Sequence, residues 1–123
     1  MAEAANRTGA TSLLINSPNN PTGVVYTPET MRHVAEACQN AGLWLISDEV
    51  YDTQVWNGQH VSAWALPGLQ DRTLIVNSMS KTFAMTGSRQ GWIVATEEAK
   101  AHLIHLSTHT TYGVPSYVQA AAL

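Results

Sequence analysis

The sequence predicts an α/β fold, with a mostly parallel sheet covered on both faces in three α/β/α layers. Three observations predict it. Four short apolar runs, "TSLLINS" (11–17), "LWLIS" (43–47), "TLIVNS" (73–78) and "GWIVA" (91–95), are close to continuous rather than alternating. Strands buried on both faces read this way. Segments with helical spacing alternate with these runs, and that alternation builds parallel sheets. Finally, polar residues gather where the runs stop, as expected of a sheet with a ligand crevice beyond its strand ends.

Each element has a local reason. The first run ends in "PNNPTG", with two prolines, two asparagines and a glycine in six residues, a dense turn signal. "TPETMRHVAEACQNAG" (27–42) follows as a helix, with Thr27 as N-cap, Pro28 at the first helical position and Gly42 at the C-cap. Met31, Val34, Ala35, Cys38 and Ala41 fall on one face of it. The second run stops at Asp48. The fourth is followed by "TEEAKAHLIHLS" (96–107), a helix with Thr96 as N-cap and Glu97 and Glu98 in its first turn. The last residues, "YVQAAAL", read as part of another helix, and the chain is expected to be incomplete.

Composition narrows the function. At 123 residues, 45% of them hydrophobic, the chain can bury the core of one domain. A net charge of −3 without a basic run argues against nucleic acid as a partner. No apolar stretch approaches the roughly 18 residues of a membrane span. The N-terminus lacks the layout of a signal peptide. Cys38 is the only cysteine, which forbids an internal disulfide and points to a reducing, cytoplasmic setting. His102, His105 and His109 share helical spacing, but no Cys or carboxylate joins them at ligand spacing, so no metal site is predicted.

The strand ends carry the chemistry. Asn19 and Asn20 follow the first run, Asp48, Glu49 and Tyr51 the second, and Ser78, Ser80 and Lys81 the third. If the strands are parallel, these residues converge on one crevice. The segment "NSMSKTFAMTGSRQGW" (77–92) holds two of the six Lys and Arg residues, Lys81 and Arg89, and no acidic residue. Both cations therefore look for a negative or electrophilic group outside the segment.

"NSPNNPTG", "SDEVY" and "SMSKTFAMTGSRQGW" closely resemble, in order and spacing, three motifs of the pyridoxal-phosphate-dependent aminotransferases of class I and II. The resemblance runs through nearly the whole chain. It implies the aspartate aminotransferase-like fold (fold type I), with residues 1–123 as the central part of the cofactor-binding large domain. The activity it implies is transfer of an amino group between an amino acid and a 2-oxo acid, with pyridoxal 5′-phosphate as cofactor. Lys81 then matches the lysine of the Schiff base, Asp48 the carboxylate at the pyridine nitrogen, and Tyr51 the phenol at the cofactor's 3-oxygen. Asn20 matches the asparagine near that oxygen, and Ser78 and Arg89 match phosphate ligands, with Ser80 a phosphate neighbour. A cis Asn20–Pro21 bond and a homodimeric full-length enzyme are also implied.

The physical chemistry of these side chains agrees. Only lysine offers a primary amine to an aldehyde. A buried carboxylate favours a protonated pyridine nitrogen, and a guanidinium forks onto phosphate oxygens. Glu49, beside Asp48, is expected to point elsewhere as a structural residue. Cys38 is expected to be an inert core thiol, and Trp44, Trp56, Trp64 and Trp92 packing residues. Ser88 and Gln90 flank Arg89 where the family often has larger apolar residues. The family's glycine-rich phosphate loop, its ring-stacking aromatic and its small domain with the substrate-carboxylate arginine are not matched here. Two alternatives stay open: a lyase or synthase of the same fold, and a non-catalytic cofactor-binding fragment.

Overall fold

The computed structural model describes residues 1–123. Its elements are α1 (Ala2–Thr8), β1 (Ser12–Asn16), α2 (Pro28–Ala41), β2 (Trp44–Asp48), β3 (Thr73–Ser78), α3 (Met79–Thr82), β4 (Gly91–Val94), α4 (Glu97–Thr110) and α5 (Ser116–Ala122). The strands form one sheet in the order β1-β2-β3-β4. The first three are parallel, and β4 runs antiparallel to β3.

Helix α2 forms as its sequence dictates. The Thr27 side chain accepts from the Thr30 amide at 3.1 Å, and Pro28 opens the helix. Gly42 closes it at φ 63°, a left-handed conformation that costs a side-chain-bearing residue about 1–2 kcal/mol. Met31, Val34, Ala35, Ala37 and Cys38 face inward, and Arg32 pairs with Glu36 on the outer side. Helix α4 is capped by Thr96, which accepts from the Ala99 amide at 3.3 Å.

The two faces of the sheet are unequal. Leu13 and Ile15 of β1, Leu45 of β2, and Thr73 and Ile75 of β3 point to the face covered by α1 and α2. There they meet Met31, Val34 and Cys38, with Leu45, Leu69 and Cys38 fully enclosed. The other face carries Leu14, Ile46 and Leu74 in register, overlain by α4. No residue of α4 is buried, and Leu14 is 66% exposed. Both faces have a helix over them, but only one is sealed.

Between β2 and β3 the alternation of strand and helix lapses. Residues 49–72 cross over as a loop with 3-10 turns at Ala63–Ala65 and Gln70–Arg72. Ala63, Leu66 and Leu69 of this loop fill the place that an α-helix would otherwise take against the core. Thr73 is buried with its hydroxyl satisfied, donating to the Leu69 carbonyl at 2.8 Å. The tryptophans depart from the packing expected of them. Trp64 packs on the core, whereas Trp44, Trp56 and Trp92 are 40%, 83% and 41% exposed. Trp44 stands on the open face, Trp56 projects from the crossover loop, and Trp92 lies on β4, which is exposed along its whole length. Cys38 is buried as expected, and burial pushes its thiol pKa up.

The asymmetry has a direct test in urea denaturation. Leu45→Ala is expected to lower stability by about 2–5 kcal/mol, as core truncations do. Leu14→Ala, one strand away on the open face, is expected to change it by less than about 1 kcal/mol. Equal costs would mean that α4 seals its face after all.

Candidate functional site

The parallel register decides which strand-end residues become neighbours. Asn16 is paired with Asp48, and Asp48 with Val76, so the three strands end side by side. Side chains alternate along a strand, so Asp48 and Glu49 leave β2 on opposite faces. Asp48 shares its face with Asn16 and with Ser78 at the end of β3. Glu49 turns to the covered face.

Asn16 joins the first two strand ends. Its Nδ2 donates to the Asp48 carbonyl at 3.1 Å, and its Oδ1 accepts from Asn19 Nδ2 at 3.1 Å and from the Asn20 amide at 3.0 Å. This fixes the turn after β1, where the Ser17–Pro18 and Asn20–Pro21 bonds are both cis. The second was expected and the first was not. Asn20 Nδ2 then donates to the Tyr51 hydroxyl at 3.2 Å. Lys81 Nζ lies 5.6 Å from the centre of the Tyr51 ring. Asn20, Tyr51 and Lys81 are thus brought together from the ends of three different strands.

Asp48 Oδ1 accepts from the Val50 amide at 3.2 Å, and no side chain of the protein pairs with this carboxylate. Ser78 caps α3: its Oγ accepts from the Ser80 amide at 3.0 Å and donates to the Gln90 carbonyl at 3.2 Å. Ser80 itself is half-buried. Arg89 sits beside that carbonyl in the chain but turns its guanidinium back, donating from Nη1 to Thr86 O at 2.8 Å. Its φ of 55° is uncommon for a residue with a side chain. Neither Lys81 nor Arg89 pairs with any carboxylate of the chain. Gly91 lets β4 close on this corner, because a Cβ there would stand 2.8 Å from the Asn77 carbonyl.

The Glu49 side chain is 96% buried and is held from several sides. It accepts from Ser47 Oγ at 3.0 Å and from the Ala63 amide at 2.8 Å, and meets His60 Nε2 at 3.1 Å. Burial alone would raise its pKa; the bonds from His60, Ala63 and Ser47 outweigh it and hold the carboxyl below its ordinary value. Glu49 is structural, as expected from the sequence. It ties the start of the crossover loop to His60 and Ala63 further along it.

An apolar cleft of about 390 Å³ between α4 and residues such as Thr11, Trp44 and Leu74 opens at the amino ends of the strands. It lies away from the polar cluster and is a packing gap under α4.

The cluster therefore combines an amine, a guanidinium, a carboxylate, a phenol, an amide and a hydroxyl at one sheet edge, with both cations unpaired. The comparisons with known proteins say what family this is. The family described as "Aminotransferase class I and II" matches residues 2–123. The chain belongs to that family. It is 45% identical over 111 residues to the arginine–pyruvate transaminase AruH of Pseudomonas aeruginosa, covering 90% of this chain and 28% of that protein. It is 39% identical to the human kynurenine–oxoglutarate transaminase 1, covering 89% of this chain and 26% of that one. An aromatic aminotransferase from Pyrococcus horikoshii superposes with a TM-score of 0.86 at 37% identity, covering 90% of this chain and 30% of that one. The chain spans between a quarter and a third of the length of these relatives. Its fold is the one expected, a fragment of fold type I with a mostly parallel sheet.

The sequence did not reveal Asn16, Asp52, Asn77 or His60 as parts of this architecture. Each acts through a partner 11 to 32 positions away. Only the strand register could have pointed to Asn16 and Asn77, as polar residues at strand ends.

Glu49 gives the site a pH dependence. With its folded pKa depressed, its stabilisation is present above the ordinary carboxylate range and is lost as pH falls through the folded value. Glu49→Gln is expected to lower the urea midpoint at neutral pH and to flatten the decline of stability expected of the parent below about pH 4.5. Parallel pH curves for the two proteins would count against the network.

Proposed function

We propose that this chain is the lysine-bearing part of a pyridoxal-phosphate-dependent aminotransferase, which moves an amino group between an amino acid and a 2-oxo acid. The observation that carries the reading is the set of unpaired groups at the carboxyl edge of the sheet. Lys81, Arg89 and Asp48 have no side-chain ion partner in the chain, and Asn20 bonds to the Tyr51 hydroxyl beside Lys81. Two cations and a carboxylate left unpaired fit a ligand with a phosphate, an aldehyde and a protonated ring nitrogen.

The residues divide the work. Lys81 would hold the cofactor's aldehyde carbon through Nζ, and its amine is the group that would take and return a proton. Asp48 keeps a proton on the ring nitrogen through its free carboxylate oxygen. Tyr51, oriented by Asn20 Nδ2, binds the ring's 3-oxygen. Ser78, Ser80 and Arg89 would hold the phosphate, for which Arg89 would have to give up its bond to Thr86 O. The cofactor, when bound, supplies the electron sink that makes the amino acid's Cα proton removable. A cytoplasmic homodimer is part of the same reading. Similarity to transaminases of arginine, kynurenine and aspartate favours it over a lyase or synthase of the same fold.

The test is covalent trapping. The amine condenses with the aldehyde and releases one water, and borohydride supplies the hydride that fixes the product. The chain has two lysines, Lys81 and Lys100. Pyridoxyl label is expected on the Lys81 peptide alone and is expected to vanish in Lys81→Ala. Labelling shared evenly with Lys100, whose amine pairs with Glu97 at 2.9 Å, would overturn the assignment.

A further inference from the structure

Two side-chain bridges tie the segment after β2 to the end of β3 and the helix that follows it, and none of the roles above uses them. Asp52 Oδ2 accepts from Asn77 Nδ2 at 2.9 Å, and Asn77 Oδ1 in turn accepts from the Ser78 amide at 2.7 Å. One residue further, the hydroxyls of Thr53 and Thr82 meet at 2.8 Å. The bridges bracket the contact of Tyr51 with Lys81. On one side Asp52 and Thr53 directly follow Tyr51, and on the other Ser78 and Thr82 flank Lys81.

That contact cannot set its own geometry. An ammonium 5.6 Å from a ring centre is held only weakly at an exposed site, and Tyr51 stands on a turn while Lys81 stands on a helix of a single turn. The Asp52–Asn77 bond is of another kind. Its acceptor is a carboxylate, and its donor belongs to a residue only 8% exposed at the penultimate position of β3. Hydrogen bonds to charged groups are stronger than those between neutral ones. It is therefore the strongest side-chain tie between the phenol-bearing segment and the lysine-bearing one.

We infer that Asp52 is a positioning residue: through Asn77 it fixes Tyr51 against Lys81 and so sets how readily Lys81 takes up pyridoxal phosphate. The inference rests on the function proposed above. Asp52 acts only through Asn77, and the Thr53–Thr82 pair holds the same two segments one step further out.

The experiment titrates the chain with pyridoxal phosphate, reads the label trapped on Lys81 by peptide mass spectrometry, and follows circular dichroism in parallel. The variants are Asp52→Ala, Asn77→Ala and Asp52→Asn. The two alanine variants are expected to raise the concentration for half-maximal labelling about tenfold, the size of one lost hydrogen bond to a charged group. Asp52→Asn keeps an oxygen that accepts from Asn77 and is expected to stay within about threefold of the parent. Parent-like labelling in Asp52→Ala overturns the inference, as does an Asp52→Asn no better than Asp52→Ala. A loss of labelling that comes with lost circular dichroism in all three variants assigns Asp52 a merely structural part and also overturns it. Failure of the parent itself to label Lys81 is a separate result, which removes the functional reading and this inference with it.

Discussion

The register of the three parallel strands is the constraint on which everything else depends. Side chains alternate from face to face along a strand, so a slip of one residue would exchange Asp48 for Glu49 at the polar edge. The observed pairing of Asn16 with Asp48, and of Asp48 with Val76, brings three chain exits to one line. The turn after β1, the loop after β2 and the helix after β3 then have no choice but to share a corner. Asn20, Tyr51 and Lys81 meet there although 61 positions separate the first from the last.

What holds the register is the unequal burial of the faces. Leu13, Ile15, Leu45 and Ile75 enter the core under α1 and α2, where a slip would drive polar neighbours into it. The Thr73 hydroxyl and the Glu49 carboxylate on that face are satisfied, whereas His60 Nδ1 is left without a partner. Thr73 is bonded to Leu69 O, and Glu49 to Ser47, Ala63 and His60. The open face is held far less, with Leu14 mostly exposed and α4 loosely laid across it. The chemistry sits where the well-held face hands its geometry to the loops, while the cost of ordering is met in the core.

Much of this was legible in the sequence, and the divide follows physics. Helix α2 was readable to the residue because its caps are local: Thr27, Pro28 and Gly42 act within a turn of themselves. Strand β3 was readable because turn residues and a polar end bound its apolar run. Strand β2 runs one residue further than its apolar run, since Asp48 still pairs in the ladder. Helix α1 was not legible: "AEAANRT" has one buried residue and no side-chain N-cap. The exposed tryptophans were misread because size alone does not tell which face a strand or loop will leave open. The candidate site residues were visible as polar groups just past apolar runs. The groups that orient them were not. Asn16, Asp52 and Asn77 matter only through partners that the fold supplies.

The central claim is that the convergence at the strand ends is a cofactor anchor. A crystal structure of the chain with pyridoxal phosphate tests it most directly. The account predicts density continuous with Lys81 Nζ, the ring nitrogen facing Asp48, the 3-oxygen at Tyr51 and the phosphate between Ser78 and Arg89. Pyridoxal phosphate joined to Lys100, or lodged in the apolar cleft under α4 with Lys81 free, would contradict it.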